Sequence, residues 1–383
     1  MIPRRSLKSS AGRWLLASCT VAVLAACSGN RPPPPSPLQA NPASVPAGVT
    51  WSQKLPAEVN FPLQVATVGN EIVVADSRGN VQAMQASSGA VLWQASVGKG
   101  ISAGVGSDGT TAAVVTDRNE LVALRAGKEL WRVPLDTRVY TAPLVAGGRV
   151  FVLGGDRSVT AYDGGNGFRL WTQKARAADE GLVLRQGSLL TAAGGALLAG
   201  VSGRVVAFNP DNGTPLMQVS VASARGGTDV ARMGDVLAPA SREGGSLCTR
   251  TFQAGVSCAM LGGGGNTVWT QPSLGSTGIS GDAQIVVGSD DSGNVVAWER
   301  ANGNPVWNNT SLRYRGLGAP LVAGNQVLVG DAQGYVHVLA RQSGALVNRV
   351  ATDGAPIRVA PVLAGNSVIV VGSKGTVTAI QAR

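Results

Sequence analysis

The stretch GSDDSGNVVAWERANGNPVW, residues 288–307, decides the fold. Val286 and Val287 end an apolar run, Asp290 to Asn294 supply turn residues, and Val295-Val296-Ala297-Trp298 begin the next run. Asn302-Gly303 then marks a second tight turn, because Asn and Gly adopt positive φ at little cost. Trp307 closes the unit as a large apolar anchor. The pattern is a hairpin followed by a third strand, and one such unit cannot bury its own faces.

The unit recurs along nearly the whole chain. Copies run through Gly79-Asn80-Val81 to Trp93, Leu121-Val122-Ala123-Leu124 to Trp131, and Val159-Thr160-Ala161-Tyr162 to Trp171. The next has Met217 where Trp is expected, and a looser one ends at Trp269. The copy after Trp307 carries Asn348 at this place, and the last, Gly375 to Ile380, meets the C-terminus before any Trp strand. Positions 51, 93, 131, 171, 217, 269, 307 and 348 give a mean spacing of about 42 residues, the length of a four-stranded propeller blade. Trp51 lies in an outer strand with no hairpin before it. Pairing it with the final copy closes a ring and removes the open edge. The expected fold is all-β: an eight-bladed β-propeller of four antiparallel strands per blade, closed by the Trp51 strand.

Residues 1–26 read as a signal peptide, with Arg4, Arg5, Lys8 and Arg13 ahead of an apolar stretch too short to span a bilayer. It ends in Leu24-Ala25-Ala26-Cys27, which resembles the bacterial lipobox, in which the Cys sulfur becomes the lipid attachment point. The alternative is an ordinary cleavage site beside an incidental Cys. Ser28 rather than Asp follows, which by resemblance to lipoprotein sorting rules implies the outer membrane, and several acyl chains anchor far better than one. Residues 27–48, with Pro32 to Pro35, Pro37, Pro42 and Pro46, read as the lipidated Cys and an extended tether. Residues 49–383 form the repeat domain.

The formal charge is +10, of which the signal peptide carries four, leaving a mild excess of +6. It is dispersed, with no basic run or interleaved aromatics, and argues against nucleic acid as a partner. Apart from Cys19 and Cys27, the chain has Cys248 and Cys258, which flank a hairpin turn near Gln253 in the repeat frame. A disulfide between facing strands is expected there, consistent with an oxidising compartment. Two Cys and the single His337 make too few ligands for a metal site.

Sites for chemistry are sought with little result. Gly100-Ile101-Ser102-Ala103-Gly104 matches a nucleophile elbow, but no helical period follows and His337 lies inside a strand of another blade, packed or solvated. Gly104 to Gly109 matches a dinucleotide fingerprint, but a strand follows where a helix should start. Asp290-Asp291-Ser292-Gly293-Asn294 lacks the carboxylate spacing of a Ca²⁺ loop and reads as a turn. No catalytic, cofactor-binding or metal-binding residue is assigned.

The repeat, with Ala and an apolar residue after G-x-V and Gly three to four residues before Trp, resembles the quinoprotein-type propellers. The dehydrogenases of that group are longer and carry an adjacent-Cys disulfide and a Ca²⁺–cofactor constellation, which this chain lacks. Its length, lipobox, tether and blade count are similar instead to the BamB-type outer-membrane assembly lipoproteins. Residues 180–187, Glu-Gly-Leu-Val-Leu-Arg-Gln-Gly, are similar to that family's L-x-L-R loop, which contacts a POTRA domain of the barrel-insertion protein BamA. The resemblance thereby implies Leu182, Leu184 and Arg185 as partner-binding residues. Residues 229–239 resemble a second contact loop, with Asp235 matching an acidic residue and Leu237 standing where a further Asp is usual, by an alignment that a one-residue gap would change. Apolar residues beside a guanidinium have the composition of an interface hot spot. In the alternative, residues 182–184 are the inner strand of the fourth blade and Arg185 alone is exposed.

The implied function is a non-enzymatic, periplasm-facing scaffold of the β-barrel assembly (BAM) complex. Its partners would be BamA, other complex members, unfolded barrel precursors and the outer membrane itself. Two other readings share the fold: a quinoprotein-like enzyme or ligand sensor, and a propeller that binds other envelope components.

Overall fold

Each of the eight Trp-equivalent residues lies in the outermost strand of a four-stranded antiparallel sheet. In the computed structural model, which describes residues 33–174, 183–222 and 234–382, Ser36–Arg383 form one compact unit. Among the described residues there is no helix. The eight sheets are the blades of a propeller. Blade one runs from the inner strand Ala66–Val68 to the outer strand Val91–Ser96, and blade seven from Leu321–Ala323 to Leu346–Ala351. Blade eight takes three strands from the C-terminus and its outer strand, Ala47–Lys54, from the other end of the chain. Trp51 pairs with Ala379 there, so the expected closure is present.

The pairing explains the Val-x-Ala part of the repeat. Trp93 lies opposite Ala83, Trp131 opposite Ala123, Trp171 opposite Ala161 and Trp307 opposite Ala297. A small residue leaves room for the indole, and the register shifts by a bulge immediately after each such pair. Trp269 faces Cys258, which is itself paired across strands with Cys248 at a Cα–Cα separation of 4.0 Å and joined to it by a disulfide.

Five of the indoles then reach the neighbouring blade. Trp51 donates its Nε1–H to the Ala86 carbonyl at 2.8 Å, Trp131 to Gly164, Trp171 to Pro210, Trp269 to Arg300 and Trp307 to Arg341. The ring lies flat on the Gly of the turn that precedes the next blade's outer strand. At Gly303 (φ +77°) a Cβ would sit 2.6 Å from the Trp269 ring, so only Gly fits both the backbone and the contact. Between blades the middle strands interdigitate: Leu328, Val338 and Val350 of blade seven pack with Val368, Val370 and Ile380 of blade eight.

The sequence motifs that suggested chemistry have structural roles. Ser102 lies in the inner strand Ile101–Ser107, where its hydroxyl donates to the Thr116 carbonyl at 3.1 Å. Asp290 caps a turn, accepting from the Asn294 amide and side chain at 2.9 and 2.7 Å, as Asp76 does for Asn80 in blade one. His337 is fully buried against Asp331. The segment read as an extended tether up to residue 48 lies against the propeller from Ser36 onward. It belongs to the compact unit, and the outer strand of blade eight starts at Ala47.

Candidate functional site

Antiparallel blades place their turns alternately on two faces. The turn between the second and third strands and the connection to the next blade share one face. The blade-three turn at residues 154–158 and the connection from blade three to blade four therefore emerge together. A Cβ on Gly155 would lie 3.7 Å from the Val183 side chain, and the Gly155 amide donates to the Arg138 carbonyl.

The connection is anchored at its far end as a short edge strand against blade five. Leu189 donates to the Val236 carbonyl at 2.8 Å, Ala238 donates to Gly187 at 3.1 Å, and Ser188 bridges Leu237. The inner strand of blade four starts later, at Leu190, so residues 183–187 are connection and not strand. Leu182 lies outside the described residues. Val183 and Leu184 are half-buried, and Arg185 is exposed.

Asp235 holds this loop in shape. Its carboxylate accepts from the Leu184 amide at 2.7 Å and faces Arg157 of the blade-three turn at 3.5 Å. Its carbonyl accepts from Phe252. Asp235 and Arg157 are only 5% and 8% exposed, so Asp235 braces the connection from behind and offers little surface to a partner. The pair links the blade-three turn to the start of blade five. Leu237 is 1% exposed and pairs with Arg250, which makes it a core position of blade five. Of the second stretch, residues 229–233 lie outside the described residues.

The result is a fixed loop with an apolar shoulder (Val183, Leu184) and an exposed guanidinium (Arg185), next to the exposed Arg138. Such a surface suits an acidic, partly apolar partner. Sequence reading missed the brace between Asp235 and Arg157, because its members come from different blades. Among the described residues no three His, Cys, Asp or Glu side chains converge as metal ligands.

The chain is similar in sequence and fold to known proteins. The family model described as outer membrane protein assembly factor BamB matches residues 77–309 and 310–383. The chain is 34% identical over 373 residues to the outer membrane protein assembly factor BamB of Burkholderia pseudomallei, covering 96% of this chain and 97% of the relative. To that of Bordetella pertussis it is 30% identical, covering 87% and 86%. The crystal structure of BamB from Moraxella catarrhalis superposes with a TM-score of 0.79 at 25% identity, covering 88% of this chain and all of that one. A quinohemoprotein alcohol dehydrogenase from Comamonas testosteroni matches with a TM-score of 0.68 at 15% identity over 91% of this chain and 79% of its own, a likeness of fold alone. The chain belongs to the family of outer membrane protein assembly factor BamB.

Proposed function

We propose that the protein is a non-enzymatic scaffold of the machinery that assembles β-barrels in the outer membrane. It is anchored by lipid on Cys27, faces the periplasm, and grips a POTRA domain of BamA with the loop around Leu184 and Arg185. The family's name supports the assembly role. The observation that carries the binding reading is the Leu184 amide fixed on a buried carboxylate while Arg185 stays exposed. A loop ordered before binding loses less entropy when a partner arrives. The propeller is then a rigid disc that biases the orientation of the partner's periplasmic arm, where unfolded barrel precursors and the other complex members are received.

The test is co-purification from detergent-solubilised outer membrane. Leu184→Ala combined with Arg185→Ala is expected to abolish recovery of BamA while leaving the melting temperature unchanged. Full recovery by a folded double variant removes this loop from the interface.

A further inference from the structure

In a propeller of this kind the outer strand of one blade leans on the last turn of the next. Blade eight has no such turn, because its outer strand, Ala47–Lys54, is not joined to its third strand by a hairpin. The residue that faces this gap is Asn348 of blade seven. Its Nδ2 donates to the Val45 carbonyl at 2.7 Å, and its Oδ1 accepts from Asn41 at 3.0 Å. The segment before blade eight then continues across blade seven. Ser44 donates its amide to the Val347 carbonyl at 2.9 Å, and Arg349 donates to the carbonyl of Gln39 at 3.0 Å. Ser36 donates its amide to the Arg313 carbonyl and accepts from Arg315 Nη1, both at 2.9 Å.

The far end of this path rests on a buried ionic group. Arg315 is 4% exposed and donates to Asp331 through Nε at 2.8 Å and Nη2 at 2.7 Å, and Asp331 also meets His337 at 2.9 Å. The guanidinium groups of Arg315 and Arg349 lie 5.9 and 5.6 Å from the Tyr335 ring centre. Most of the segment stays exposed, with Ser36 and Val45 half-buried, so polar contacts hold it.

We infer that this surface of blade seven is a docking site whose occupant is the chain's own segment 36–45, which replaces the missing turn and sets the length of chain between Cys27 and the propeller. The consequence for the tether rests on the proposed anchor at Cys27. With the segment docked, eight residues, 28–35, separate Cys27 from it, in place of the twenty-one that a link reaching to residue 48 would have. Their reach is about 30 Å rather than about 70 Å. The corner at blades six and seven, where Ser36 meets Arg313, is then the part of the disc held nearest the lipid.

Two measurements on the mature full chain test this. In hydrogen exchange, the amides of Ser36 and Ser44, which donate to the Arg313 and Val347 carbonyls, are expected to be protected. Asn41→Ala with Ser44→Pro, which leaves the propeller's own residues untouched, should remove that protection. Pro deletes the donor to Val347, and Ala43 at φ 46° has a backbone unsuited to a following Pro. Exchange in the unsubstituted protein as fast as in a free peptide overturns the docking.

For reach, the chain is coupled through Cys27 to a maleimide lipid in phosphatidylethanolamine–phosphatidylglycerol vesicles containing a photoreactive headgroup. Cross-links are expected at Leu274, Ser292 and Tyr314 and not at Arg118 of blade two, and the double variant should spread them round the ring. An even distribution in the unsubstituted protein overturns the inference. Native lipidation is read separately from the mass of the amino-terminal peptide, so loss of the anchor reading and loss of the docking are distinguishable.

Discussion

Asn348 bonds the Val45 carbonyl at 2.7 Å as Trp307, one blade earlier, bonds the Arg341 carbonyl at 2.8 Å. Both are the inner members of the same inter-blade contact, yet one grips a hairpin turn and the other a segment from the opposite end of the chain. A Trp at 348 would have no glycine turn to lie on. The departure from the repeat thus follows from the way the ring is closed.

The indole–glycine contact predicts a stability effect far from the candidate site. Gly303→Ala places a Cβ against the Trp269 ring at a backbone angle unfavourable to L-residues. The variant is expected to lose about 1–3 kcal/mol, the range for overpacking, as measured by urea denaturation. Its recovery of BamA at a temperature where it remains folded should be unchanged.

Asp235 and Arg185 separate bracing from contact. Asp235→Ala removes the acceptor of the Leu184 amide and the carboxylate facing Arg157, and is expected to cost about 1–3 kcal/mol, with weakened partner binding as a consequence. Arg185→Ala should leave stability within about 0.5 kcal/mol of the parent, as for other exposed positions, and act on binding alone. Chemical denaturation paired with the pull-down checks both, and equal stability losses would sink the distinction.

His337 and Asp331 predict a two-stage response to acid. Burial pushes the imidazole below its ordinary value, partly offset by Asp331, and its Nδ1 has no hydrogen-bond partner. The unfolded chain therefore takes up this proton first as pH falls below about 6.5, and stability declines from there down through the native value. For Asp331, burial raises the carboxyl, but hydrogen bonds from His337, the Tyr335 amide and Arg315 outweigh it and hold it below 3.8. Its contribution is present above that value and is lost as pH falls through the lower native one. Denaturation midpoints from pH 8 to 3 should show both stages, and His337→Gln should flatten the first; an unchanged first stage counts against the assignment.

Blade five depends on its covalent link. Cys248 and Cys258 enclose a short loop, for which the chain-entropy relation gives about 2.5 kcal/mol. Unreduced protein is expected to show no reactive thiol at either position. Cys248→Ala with Cys258→Ala should lower stability by about that amount, with the earliest loss of amide protection in residues 246–272. A parent and variant that melt together would remove the bond from the stability of the blade.

The ring was legible because its determinants are local. Turn glycines, the Val-x-Ala pairs and the Trp positions all fall within one repeat, so spacing alone counted the blades and found the closing strand. The buried ions were not legible. Arg250 is fully buried in a middle strand of blade five, donating to Ser273 at 3.1 Å and to the Ser289 carbonyl, with its pKa lowered to about 10 by burial. Its partners belong to blade six and the connection to it, which no spacing within blade five announces. The brace at Asp235 failed to appear for the same reason. The proline-rich segment was misread from residue 36 because composition describes stiffness, whereas its docking depends on Asn348, Arg349 and Arg315 some three hundred residues away.

The pairing of Ala47–Lys54 with Thr376–Ala382 also orders events in the life of the molecule. The strand made early in synthesis waits for its partner near the other end, and until then no intermediate is a finished wheel. A product clipped ahead of Thr376 leaves the opening strand unmatched along its whole length. Locking is in this way a proofreading step: only a chain that carries both strands acquires an edgeless perimeter, and a fragment offers its unpaired edge to proteases.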